Sequence, residues 1–127
     1  MYVMFAVWNL TSSEQSVESL RDYLRRTAID AFQGVEGMRW KVWFSHPERQ
    51  IWGAVYLWDS LEAMQRRLGD PKKALEVIGY TPSISVFDVE AVAEGASAWE
   101  SLAQVGLAWE GTQQGGPEPH FPVLPGQ

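Results

Sequence analysis

The chain contains no cysteine, which excludes disulfides, thiolate metal sites and a cysteine nucleophile. No apolar run approaches the ~20 residues of a membrane span. The opening MYVMFAVWNL has neither a basic n-region nor a small-residue cleavage site, so a cytoplasmic protein without a membrane partner is expected. Positive charge is scarce: ten Lys and Arg stand against sixteen Asp and Glu, for a net charge of -6. Because nucleic-acid binding rests on phosphate neutralisation, that balance argues against a nucleic-acid partner. All ten bases also lie before residue 74. Histidine is limited to His46, beside Pro47 in a turn, and His120, in a Pro-rich tail. Neither has a second His or a carboxylate at ligand spacing, so no metal is expected.

What is present is aromatic. The stretch MRWKVWFSHPERQIWGAVYLW, from Met38 to Trp58, holds two apolar runs separated by His46-Pro47-Glu48-Arg49, a turn composition with Pro in its favoured second place. It reads as a β-hairpin. With His46 and Arg49 flanking the turn as a pair, Trp43 falls opposite Trp52, Lys41 opposite Ala54 and Arg39 opposite Tyr56. Alternation then gives one purely apolar face (Met38, Trp40, Val42, Phe44, Ile51, Gly53, Val55, Leu57), expected to be core. The other face (Arg39, Lys41, Trp43, Ser45, Trp52, Ala54, Tyr56, Trp58) mixes cations, indoles and a phenol, as a binding surface or subunit interface would.

Taken in order, residues 2 to 8 read as a strand. Ser12 with Gln15 forms a capping box for a helix running to about Phe32, with Val17, Leu20, Leu24, Ala28 and Phe32 at helical spacing. Gly34 and Gly37 end it before the hairpin. Asp59 and Glu62 resemble a cap and its partner for a helix through Leu61, Met64 and Leu68, closed by Gly69. Asp70-Pro71 restarts a helical turn, and residues 83 to 89 form a last strand. The order β-α-β-β-α-β is that of a ferredoxin-like α+β fold with a four-stranded antiparallel sheet, and strands one and three are expected to run parallel at its centre. One rim would then gather Trp8, Asn9, Arg39, Trp40, Tyr56, Trp58 and Ser85. Residues 1 to 92 make this domain. Residues 93 to 127 are an extension, a short helix at 97 to 109 and then a Gly/Pro-rich tail that is either disordered or an arm on a neighbouring subunit.

Three blocks, Gly37 to Trp43 (GMRWKVW), Gly53 to Leu57 (GAVYL) and Val86 to Val89 (VFDV), resemble the YdhR-type monooxygenase family, relatives of the antibiotic-biosynthesis monooxygenases. The resemblance covers residues 1 to 90. It implies a homodimeric α+β barrel and a cofactor-independent monooxygenase that oxidises a small aromatic or polyketide-like phenol with molecular oxygen as co-substrate. Haem degradation in that superfamily uses a His on the second helix, and Leu61 to Ile78 contains none, so haem is not indicated. No dinucleotide fingerprint or P-loop occurs, so flavin is not indicated either.

Such chemistry needs a dry aromatic cavity, a proton acceptor and groups that hold a developing anion. Asn9, Arg39 and Tyr56 are the catalytic candidates, and Trp8, Trp40, Lys41, Trp43, Trp58 and Ser85 the substrate-binding ones. Each has a plainer reading. Tryptophans pack cores and interfaces, Arg39 and Lys41 can pair with Glu36 or Asp59, Asn9 can begin a turn, and Ser85 can be a strand serine. The rival functions are an isomerase, cyclase or decarboxylase using the same cavity and a non-catalytic small-molecule-binding dimer. RNA stacking on the sheet shares the topology but has the wrong charge.

Overall fold

The computed structural model describes residues 1–68, 72–97 and 106–110. The expectations for Gly69, Asp70-Pro71, most of the 97 to 109 helix and the tail lie outside them. Four strands, β1 (Tyr2–Asn9), β2 (Met38–His46), β3 (Ile51–Trp58) and β4 (Ser83–Asp88), form one sheet in the order β2-β3-β1-β4. Every neighbouring pair is antiparallel. Helices α1 (Val17–Tyr23) and α2 (Ile29–Phe32) are joined without a break by a π-helical turn, Leu24–Ala28, whose signature is the Ile29 amide donating to the Leu24 carbonyl. After β3 come α3 (Leu61–Leu68) and α4 (Lys72–Val77), and a final turn of helix, α5, spans Leu107–Glu110. This is the ferredoxin-like α+β architecture.

One topological expectation is overturned: β1 and β3 are antiparallel, with Tyr2 opposite Trp58 and Asn9 opposite Ile51. In a split β-α-β unit it is β1 and β2 that share a direction, and the hairpin partner β3 drops between them reversed. The expected rim therefore does not exist. Trp8 and Asn9 sit at the hairpin-turn end of the sheet, Trp58 at the opposite end, and Ser85 pairs with Phe5 in mid-strand.

The hairpin register is displaced by two residues. Ile51 rather than Arg49 pairs with His46, Trp43 lies opposite Ala54 and Lys41 opposite Tyr56. The cause is Gln50, which adopts a left-handed backbone (φ 52) and lengthens the turn. Its carbonyl accepts from the Leu10 amide (2.8 Å) and its side-chain oxygen from the Val17 amide (3.0 Å), so it ties the hairpin to the start of α1. A two-residue shift leaves every side chain on its face, except at Arg39. There a β-bulge makes Met38 pair with Trp58 and turns Met38 from the apolar face to the other.

Two caps also differ. Leu10–Ser12 coil into a 3-10 turn capped by Asn9, so Ser12 is spent before α1 begins, and the capping box belongs to Ser16 and Ser19. Likewise Ser60 Oγ, not Asp59, accepts from the Ala63 amide (3.1 Å) at the start of α3. Asp59 is occupied by Arg39.

The covered side of the sheet is the mixed one. Met4, Ala6, Trp52, Ala54, Tyr56 and Trp58 are buried there, beneath Leu20, Leu24 and Ala63 of the helices. The purely apolar face, expected to be core, is the open one. Trp40, Val42, Phe5 and Phe87 are 42%, 48%, 38% and 54% exposed, with Phe5 and Phe87 in edge-to-face contact. Gly53 on this face is crossed by Phe44: a Cβ there would lie 2.4 Å from the Phe44 ring.

Candidate functional site

Between the covered face and the helices lies a cavity of about 630 Å3. Its floor is made by side chains that alternation brings to one side of three strands: Met4, Ala6 and Trp8 of β1, Lys41 and Trp43 of β2, and Trp52, Ala54 and Tyr56 of β3. Its roof includes Leu24, Thr27 and Ala28 of the π-helical turn. A π turn carries one more residue per hydrogen-bonded ring than an α turn, and such turns recur at functional sites. Arg67 of α3 and Lys72, Lys73 and Glu76 of α4 stand at the same cavity. A second cleft, of about 960 Å3, runs along the β2 edge towards α5, and Leu24, Phe32, Lys41, Trp43 and Trp52 line both.

Lys41 is the centre of the arrangement. Its Nζ lies 3.3 Å from the centroid of the Phe32 ring, 4.4 Å from that of Trp43 and 4.5 Å from that of Tyr56. Among the described residues no carboxylate pairs with it. The Arg67 guanidinium lies 4.3 Å from the same Phe32 ring and donates to the Ala31 carbonyl (3.1 Å). Burial first, and the Arg67 charge second, push the Lys41 amine down to about 6. The ring faces oppose this, since they attract the cation. Burial also pushes the Tyr56 phenol up to about 12, although Arg67 pulls it the other way. At neutral pH the site therefore presents an uncharged amine beside an un-ionised phenol. Phe32 meets Trp43 edge-on at 5.8 Å and Tyr56 at 6.1 Å, and Tyr56 stacks on Trp58 at 5.9 Å.

Of the residues singled out in the sequence, Trp8, Lys41, Trp43 and Tyr56 come together at this cavity. Trp8 is held by its indole N–H, which donates to the Tyr80 carbonyl (3.0 Å). Trp58 is fully buried behind Tyr56, and among the described residues its indole N–H has no partner. The others stand apart. Asn9 caps the 3-10 turn through the Thr11 amide (3.0 Å) and takes the Tyr80 hydroxyl on its carbonyl. Arg39 is exposed and paired with Asp59 at 2.6 Å. Trp40 and Ser85 are on the open face. Phe32 and Arg67 were missed as site residues. Phe32 reads from the sequence only as an apolar helix position, although its ring is the platform for both the Lys41 amine and the Arg67 guanidinium. Arg67 follows Ala63 by four residues and Met64 by three, so helical spacing already sets it beside the buried stripe of α3.

No protein-family profile matches the chain, and no curated protein does. Solved structures do. A monooxygenase, ActVA-Orf6 of Streptomyces coelicolor, solved with nanaomycin D, superposes with a TM-score of 0.53 at 10% identity over 75% of this chain and 92% of that one. SnoaB, a cofactor-independent oxygenase from Streptomyces nogalater, gives 0.53 at 12% identity over 72% and 94%. A candidate antibiotic biosynthesis monooxygenase from Deinococcus radiodurans gives 0.52 at 16% over 74% and 97%. At these identities the likeness speaks for the backbone: the chain has the ferredoxin-like α+β fold of the antibiotic-biosynthesis-monooxygenase-like proteins.

Proposed function

We propose that the chain is a cofactor-independent monooxygenase of a small aromatic phenol, of YdhR type, acting in the cavity between sheet and helices as a cytoplasmic homodimer. The observation that carries the reading is the Lys41 amine, unpaired by any described carboxylate and enclosed by Phe32, Trp43 and Tyr56 on the cavity wall. A general base is most effective with a pKa near the working pH, and about 6 meets that condition. The aromatic walls hold a flat substrate. Lys41 takes its phenolic proton, and the ammonium so formed, with Arg67, holds the phenolate. The electron-rich ring gives an electron to dioxygen, a carbon–oxygen bond forms at the activated carbon, and loss of water leaves a carbonyl. For an anthrone-type phenol, CH2 and O2 become C=O and H2O. The un-ionised Tyr56 hydroxyl donates to the substrate oxygen, a role supported by its ring lying beside the Lys41 amine.

The homodimer is supported by the open face. Trp40, Val42, Phe5 and Phe87 form a charge-free apolar surface, of a kind that marks interaction sites when exposed. A two-fold axis through it would cover it with its own copy.

The test is oxygen uptake with a panel of anthrone-type phenols, with heat-denatured protein as background. Saturable uptake with a quinone product that disappears in Lys41→Met is expected. Binding of the phenols without uptake would overturn the reading.

A further inference from the structure

The chain has three lysines, Lys41, Lys72 and Lys73, and all three reach the same cavity, but in unlike surroundings. Lys72 and Lys73 are exposed on α4. Lys41 rises from mid-strand β2, partly buried, with its amine against three ring faces. The charged and titratable groups around the cavity are Tyr23 on α1, Tyr56 on β3, Arg67 on α3 and Lys72, Lys73 and Glu76 on α4. Only Glu76 among them is acidic, and it is exposed. Nothing described near Lys41 would stabilise an ammonium by ion pairing, and the nearest named charge, Arg67, repels one. The free lone pair that lets such an amine accept a proton equally lets it add to a carbon atom.

We propose that Lys41 is an imine-forming lysine that captures aldehyde or ketone groups carried on an aromatic body. The Nζ lone pair adds to the carbonyl carbon, the C=O pair moves onto oxygen, and a proton passes from the now cationic nitrogen to that oxygen to give a carbinolamine. Loss of water then leaves a C=N bond to Lys41. The Phe32 and Trp43 rings accommodate the ligand's aromatic part by stacking, and the un-ionised Tyr56 phenol can supply the proton that lets water leave. An imine at this position draws electrons from the adjacent carbon, which is what enolisation or loss of a β-carboxylate requires. Capture uses no oxygen, so it stands apart from the oxygenation reading although both use the same amine.

The experiment is reductive trapping under nitrogen. The native chain is incubated at pH 7 with 1-naphthaldehyde and sodium cyanoborohydride, and the adducts are mapped by peptide mass spectrometry. Lys41, whose amine faces the aromatic rings, should be labelled at least ~10-fold faster than the exposed Lys72 or Lys73. Arg67→Gln should slow Lys41 labelling at pH 6, because removing the neighbouring charge lets the amine hold its proton, and leave it unchanged at pH 9. Lys41→Arg should remove the fast adduct; if that variant does not fold, the wild-type map decides alone. Equal labelling of the three lysines, or an adduct rate at Lys41 indifferent to Arg67 at both pH values, overturns the proposal. Labelling without oxygen uptake leaves capture standing and removes only the oxygenase; uptake without labelling does the reverse.

Discussion

The two faces of the sheet differ in the opposite sense from their composition. The face of Trp40, Val42, Phe44, Val55 and Leu57 has no polar side chain among these β2 and β3 positions, yet much of it is open. The face of Lys41, Trp43, Trp52, Tyr56 and Trp58 carries an amine, a phenol and indole N–H groups, yet the helices cover it. A helix layer resting on ordinary aliphatic residues would seal the core. Here it rests on large rings and a lysine that do not pack flush, and the cavity of about 630 Å3 is what remains between them. Apolar alternation tells that a face must be covered, but not whether the cover comes from the same chain. The mixed face shows the converse, that polar tips on aromatic bodies can be interior when the interior is a binding site.

The comparison breaks most sharply at the open face. Val42→Glu sets a carboxylate in the middle of it, and burying that charge against a second copy without a partner is costly. Dimerisation measured by sedimentation should weaken at least ~100-fold, with the helix-covered face and the far-ultraviolet spectrum unchanged. A variant that remains as dimeric as the parent would mean that the open face is not the contact.

The covered face is tested by removing its amine. Lys41→Met should lower turnover of an anthrone-type phenol ~100-fold, within the usual range for a general base. In the parent, activity should rise with pH through about 6, as the amine loses its proton. Stability carries the same signature. The unfolded lysine holds its proton up to 10.5, the folded one only to about 6, so the unfolded state binds the extra proton between those values. Stability should therefore climb as pH rises across that window, by up to ~1.4 kcal/mol per unit, and the Lys41→Met slope should be flatter by that amount. Urea unfolding at pH 6.5, 7.5 and 8.5 measures it. An identical slope in both proteins would place the lysine charged in the fold.

How far the sequence carried these features follows from the kind of signal each one has. The strand order and the hairpin were legible because alternation and turn composition are local. The faces were sorted correctly except at Met38, since a two-residue slip preserves parity. The slip itself was hidden in Gln50, a residue type that does not advertise a left-handed backbone, held there by contacts to Leu10 and Val17 that are far away in sequence. The direction of β3 against β1 was derivable from the split β-α-β order and was misread. Which face the helices cover is not written in the strands, because both faces are apolar enough to be buried. Trp40 and Ser85 are set beside Tyr56 by the expectation of parallel β1 and β3, which the antiparallel pairing overturns.

Two smaller changes sharpen the contrast without breaking it. Tyr56→Phe keeps the stack on Trp58 and the ring beside Lys41 and removes only the hydroxyl. Turnover should fall ~10-fold, the low end of an acid–base contribution, at little change in stability. Gly53→Ala instead acts on the open face. Its methyl would enter the space of the Phe44 ring and press on the Ala6 backbone carbonyl, and accommodating it should cost ~1 to 3 kcal/mol in urea unfolding.

The smallest effect is expected at Arg39, the residue that an aromatic-rich strand most invites one to treat as catalytic. Its guanidinium is 62% exposed and its partner Asp59 46%, and such surface pairs contribute roughly 0 to 1 kcal/mol. It sits at the bulge and borders only the β2-edge cleft, not the cavity beneath the helices. Arg39→Ala should thus leave turnover within ~2-fold and stability within ~1 kcal/mol, the loss shrinking further in about 0.5 M salt as screening grows. A drop as large as that of Lys41→Met would move the reacting centre from the covered face to the β2-edge cleft, which Arg39 and Lys41 both line.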